Sequence, residues 1–124
     1  QEFLRTKRGN ENSYNTSIFR NGIDLAFKEK YSDVYNVYKG LIALRKANPS
    51  AFGSNKGAKA ERVSTGVTKY TTGDFLVYFN ATDAEAAISS SGYTKVIDVT
   101  SGTPAESETI PTTLPAKSFV ILKK

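Results

Sequence analysis

The apolar positions of this chain keep two different periods, and the change falls at Pro49. Upstream, Val34, Val37, Tyr38, Leu41 and Leu44 recur at i, i+3, i+4 and i+7, the stripe of an amphipathic helix, which predicts a helix over 33–47. Ser32 stands where an N-cap belongs, with a hydroxyl able to accept a bond from a first-turn amide. Asp33 suits the positive end of the helix, and Arg45 and Lys46 suit the negative end. Asn48-Pro49 closes it. Downstream, short apolar runs alternate with turn signals. They predict strands at 60–63, 66–71, 75–80, 86–89, 95–99, 108–110 and 118–122. The run Phe75-Leu76-Val77-Tyr78-Phe79-Asn80 is nearly continuous in apolar residues, as expected of a strand inside a sandwich core. Thr72-Gly73-Asp74 and Thr100-Ser101-Gly102 read as turns, and 50–59 as a linker. Strands at this spacing argue for a mainly β chain built as an antiparallel sandwich. Residues 4–31 keep neither period: Tyr14, Phe19 and Phe27 fall at no regular interval among Asn, Ser, Thr and Gly. A long loop is expected there, and loops of that length usually serve a function or cover something.

Composition narrows the chemistry. At 124 residues with 39% hydrophobic side chains, the chain has the size of one compact domain with room for an appendage. No apolar run approaches the roughly 20 residues a membrane-spanning helix requires. There is no Cys and no His, which removes disulfides, thiolate and imidazole metal sites, and the Ser-His-Asp and Cys-His catalytic sets. The net charge is +5. Residues 1–49 hold nine Lys/Arg against five Asp/Glu, whereas residues 50–124 hold eight against seven. The excess forms no long basic run, so a mixed-charge solvated surface is expected rather than a nucleic-acid partner.

The N-terminal residues carry a more specific signal. The stretch Gln1-Glu2-Phe3-Leu4-Arg5-Thr6-Lys7, then Asn12-Ser13-Tyr14-Asn15, then Asn21-Gly22-Ile23-Asp24 resembles the type I pullulanases, debranching enzymes of the alpha-amylase superfamily. Residues 38–46 with Asn48-Pro49 look like the last helix of that family's (β/α)8 barrel, and 114–122 look like the closing strand of its C-terminal β domain. The resemblance implies a division at residue 49. Residues 1–49 would be the end of the catalytic barrel, namely a strand end, a long loop and the final helix, and 50–124 the all-β sandwich. The chain would be a piece entered partway through a larger enzyme. One departure stands out: Leu25 follows Asp24 where the family carries Trp, and the chain has no Trp at all.

Glycoside hydrolysis of this kind uses two carboxyl groups, about 5–5.5 Å apart in retaining enzymes. The resemblance places the catalytic carboxylates before Gln1, so none is expected here and the chain alone is expected to be inactive. Barrel active sites lie at the C-terminal ends of the strands, which would put the loop after Phe3 at the rim of the site. Arg5, Asn12, Tyr14, Asn15 and Asp24 are the rim candidates. Arg, Asn and Asp offer hydrogen bonds to sugar hydroxyls, and Tyr offers a flat face for the C–H surface. Against this stands a structural alternative in which Asn12, Ser13 and Asn15 cap turns, Tyr14 fills a gap and Arg5 meets a carboxylate. Among the other tyrosines, Tyr38 and Tyr78 are expected in the core, while Tyr70 and Tyr93 could form a sugar platform. The expected partners are the rest of the barrel and, through the parent, an α-glucan such as pullulan or amylopectin. No cofactor or metal is expected, and the expected location is outside a bacterial cell or on its surface. Two other readings remain open: an autonomous polysaccharide-binding module, and an interaction domain of a surface protein.

Overall fold

The computed structural model describes residues 3–4, 6–54, 57–98 and 111–124. Arg5, the expected strand at 108–110, the turn at 100–102 and the end of the strand at 95–99 lie outside the described residues. The backbone forms α1 (Ile18–Asn21), α2 (Ala26–Lys30), α3 (Ser32–Ala47) and α4 (Pro49–Phe52). The strands are β1 (Lys59–Ser64), β2 (Val67–Thr72), β3 (Phe75–Asn80), β4 (Ala86–Ala87), β5 (Thr94–Asp98), β6 (Thr113–Leu114) and β7 (Ser118–Lys123). Among the described residues, five strands make an antiparallel sheet in the order β1-β2-β3-β7-β5, and β4 pairs with β6 in a second, two-stranded sheet. The fold is mainly antiparallel β, as the strand spacing predicts.

Alternation along the strands explains the layers. In the register of β3 with β7, Val77 faces Ile121, while Leu76 faces Leu122 and Tyr78 faces Val120. Because successive side chains leave a strand on opposite faces, these pairs feed two cores. On one face, Phe75, Val77, Ile121, Val96 and Ile97 pack with Leu44 of α3 and Ala51 of α4. On the other, Leu76, Tyr78, Val120 and Leu122 pack with Leu114 of β6. The small β4–β6 sheet therefore closes one side of the sandwich and the helices close the other. In β5 both Val96 and Ile97 join the same core, although neighbours on a strand normally diverge. The cause is a bulge: the register steps from Lys95↔Leu122 to Ile97↔Ile121, leaving Val96 as the extra residue.

The helical layer differs from the sequence expectation in three places. Ser32 is not a cap; it is the first residue of α3, and no side chain caps the helix start. Tyr31 instead joins α2 to α3 through the backbone: its N–H donates to the Phe27 carbonyl and its own carbonyl accepts from the Tyr35 N–H. Pro49 ends α3 but also opens α4, because a ring without an N–H costs nothing in a first turn. Thr72 Oγ1 donates to the Ala51 carbonyl, and the Phe52 and Phe75 rings meet at 4.8 Å, so α4 is fastened to the β2–β3 end of the sheet. Tyr38, expected in the core, is 42% exposed. Only Leu44 and Gly40 of α3 are fully buried, with Leu41 packed beside them; the N-terminal half of the helix reaches past the sheet's apolar centre.

The corner between β3 and β7 is polar and buried. The Asn80 amide nitrogen donates to the carbonyls of Ala84 (2.8 Å), Leu114 (3.2 Å) and Pro115 (2.8 Å). Its Oδ1 accepts from the Thr82 N–H and hydroxyl. One side chain thus ties the end of β3 to β6 and to the approach to β7. Gly66, with φ +76°, lies against this corner; a Cβ there would stand 2.6 Å from Thr82 Cγ2. At the opposite edge every residue of β1 is exposed, and Lys69 of β2 pairs with Glu61 across the strands. Lys69 holds the Glu61 carboxyl below its usual range, and Glu61 in turn pushes the Lys69 ammonium up.

Candidate functional site

The expected loop at 4–31 contains the two short helices α1 and α2, neither of which has a buried side chain. Its order comes from polar contacts. The Ser13 carbonyl accepts from the Thr16 N–H (3.1 Å), the Thr16 hydroxyl (2.9 Å) and the Asn21 side-chain amide. The same Asn21 nitrogen also reaches the Thr16 carbonyl at 3.2 Å and the Thr16 hydroxyl oxygen at 3.1 Å. Residues 13–21 are closed into a ring by these bonds, with the Tyr14-Asn15 turn at its outer edge. Earlier in the chain, the Arg8 guanidinium sits 4.5 Å from the centre of the Phe19 ring. Phe3 stacks on Tyr35 at 6.0 Å, and Lys28 lies 4.6 Å from the same ring, so the segment leans on α3 through aromatic faces.

The rim candidates now separate. Asn12, Tyr14 and Asn15 share one exposed loop, and their side chains bond to none of the described residues. Tyr14 is 83% exposed and fills no gap. Asp24 is occupied differently: its Oδ1 accepts from the Ala26 N–H at 3.0 Å and holds the start of α2. Arg5 lies outside the described residues. Turn-capping falls to Asn21 and Thr16, neither of which the sequence singled out as a capping group. The signal available was the pair of loop residues at 16 and 21, but their shared partner, the Ser13 carbonyl, leaves no mark in the sequence. The Ser13 hydroxyl itself is buried with no hydrogen-bond partner among the described residues.

A second surface lies along α3. Tyr35, Tyr38, Lys39 and Ile42 line an open groove of about 200 Å³. On the other side of Tyr38, a groove of about 230 Å³ runs between Asp33, Val34, Val37 and Phe119. Tyr78 is buried as expected, and its hydroxyl donates to the Ser89 carbonyl at 2.8 Å. Tyr70 and Tyr93, the two platform candidates, are half-buried and pack against the two cores. Among the described residues there is no group of three or more His, Cys, Asp or Glu side chains placed to hold a metal ion. No helix among them is long and apolar enough to cross a membrane.

No protein-family model matches the chain. Over 62 residues, half of its length, it is 42% identical to the pullulanase of Bacillus subtilis (strain 168), of which that match covers 8%. The fold superimposes on the pullulanase of Bacillus acidopullulyticus over 99% of this chain and 17% of that one, with a TM-score of 0.81 and 24% identity. It also superimposes on the type I pullulanase of Bacillus subtilis, in a structure with maltose, over 98% of this chain and 20% of that one, with a TM-score of 0.77 and 22% identity. The chain therefore spans no more than about a fifth of the proteins it matches. In sequence over half its length and in fold over nearly all of it, this chain is similar to a C-terminal part of the type I pullulanases.

Proposed function

We propose that this chain is the C-terminal part of a glycoside hydrolase that cleaves α-1,6-glucosidic bonds in pullulan or branched starch. The 42% identity to a pullulanase, joined to a fold match over nearly the whole chain, carries the reading. Residues 1–49 belong to the end of the catalytic barrel, with α3 as its final helix, and 50–124 form the β domain behind it. The carboxylate pair for retaining hydrolysis comes from the preceding part of the enzyme. The chain's own contributions are a brace, through α3 and the sandwich, and the loop bearing Asn12, Tyr14 and Asn15. That loop meets the glucan at the rim of the site: an uncommitted Tyr face covers sugar C–H surface, and the two amides bond hydroxyls.

The test is a transplant. The chain replaces the matching segment of the Bacillus subtilis pullulanase, and release of reducing ends from pullulan is measured for the hybrid and for the chain alone. The hybrid is expected to be active and the chain silent. A folded but inactive hybrid, or an active isolated chain, would overturn the reading. A second reading, an autonomous glucan-binding module, is favoured by the high exposure of Tyr14 and the open groove beside Tyr38. Retardation of the isolated chain in gels containing pullulan or amylopectin would support it, and unchanged mobility would remove it.

A further inference from the structure

Apolar burial does not hold the loop that carries Asn12, Tyr14 and Asn15. α1, which ends the ring of residues 13–21, has only four residues and buries none of them. Ile18 is 86% exposed, and Phe19 is also largely exposed. The Arg8–Phe19 contact is a surface cation–π pair, which fixes little on its own. What remains is the polar ring, and one side chain spans it. The Asn21 amide nitrogen reaches back eight positions to the Ser13 carbonyl and five positions to both oxygens of Thr16. These oxygens all act as acceptors towards the Asn21 amide nitrogen. The Thr16 hydroxyl gives its own proton to the Ser13 carbonyl, which leaves its lone pairs for Asn21.

We infer that Asn21 is the positioning residue of this loop: its two N–H groups set the turn from which Tyr14 and Asn15 project. The donor count is decisive. An isosteric Asp at 21 has the same shape but presents oxygen to three oxygen atoms, and Ala presents nothing. Both changes therefore open the ring. Asn21 lies in neither apolar core, so the sheet survives either change. That the loop so held meets a glucan rests on the reading under Proposed function; that Asn21 holds it does not.

The experiment uses the whole chain, labelled with 15N, as wild type, Asn21→Ala and Asn21→Asp. Backbone order parameters at residues 13–17 are compared with those of β3 and β7, and each protein is titrated with a glucose trisaccharide containing one α-1,6 link. The wild-type loop is expected near the rigid value of about 0.85, and both variants below about 0.6, with the strand amides unchanged. The trisaccharide is expected to move the Tyr14 and Asn15 amides in wild type and to bind both variants roughly fivefold more weakly. Order parameters at 13–17 unchanged in Asn21→Ala would overturn the inference whatever the sugar does, as would loosening in Asn21→Asp alone. A loop that loosens in both variants but never responds to the sugar, even in wild type, would sustain the inference and count instead against sugar binding by this chain on its own.

Discussion

Ile97 and Leu122 are completely shielded by the sheet and its two covers, whereas Ile18, an aliphatic residue of the same size, stands 86% exposed on α1. The same contrast runs through both regions. Among the described residues from β2 to β7, the large apolar side chains other than the half-exposed Phe79 converge on two cores; from residue 4 to 25, Leu4, Tyr14, Phe19, Ile23 and Leu25 all face outward. The sheet is held by water leaving apolar surface, a term of roughly 1.5–3 kcal/mol for each fully buried side chain. The N-terminal segment is held by hydrogen bonds and aromatic contacts, each with a net worth nearer 1 kcal/mol. A region can therefore have a defined shape without contributing much to the stability of the whole.

The comparison can be broken most severely inside the sheet. Leu122→Ala removes a side chain with no exposed surface between Leu76, Tyr78 and Val120. A loss of about 2–5 kcal/mol in unfolding free energy is expected by urea titration. A change below 1 kcal/mol would mean the core can collapse around the gap. Asn80→Ala comes next, because it leaves the Leu114 carbonyl buried without its donor and releases two more. About 1–3 kcal/mol is expected, and amide exchange should rise at Thr82 and along β6 before it rises elsewhere. The smallest effect sharpens the contrast: Ile18→Ser should change stability by less than about 0.5 kcal/mol. A larger loss in the same titration would show that the segment is packed against something in solution.

The sheet was largely legible in the residues, and the reason is physical. The strand Phe75–Asn80 is apolar from Phe75 to Phe79, and Phe75, Leu76, Val77 and Tyr78 are buried on its two faces in turn, so it announces itself without any partner. The two residues of β6 are too few to carry a period, which is why that strand goes unread. Tyr38 shows a different limit: a helical stripe tells which face is apolar, but not how far the opposing sheet extends beneath it. In the loop, four residues are Asn, at 10, 12, 15 and 21, and nothing local distinguishes them. Asn21 is committed to the ring, whereas the side chains of Asn12 and Asn15 bond none of the described residues; only three-dimensional closure assigns those roles.

The bare edge at β1 has a consequence for how such a chain behaves in a crowded solution. An outermost strand offers its backbone to any other extended chain, and unguarded edges seed fibrils and precipitates. Here Lys59, Glu61 and Arg62 occupy that strand, and the register slips between Arg62 and Ser64, leaving Val63 unpaired and kinking the edge. A stranger's strand would have to bury three charges and follow a bent template. The sheet thus carries its own guard against aggregation on the side away from β5.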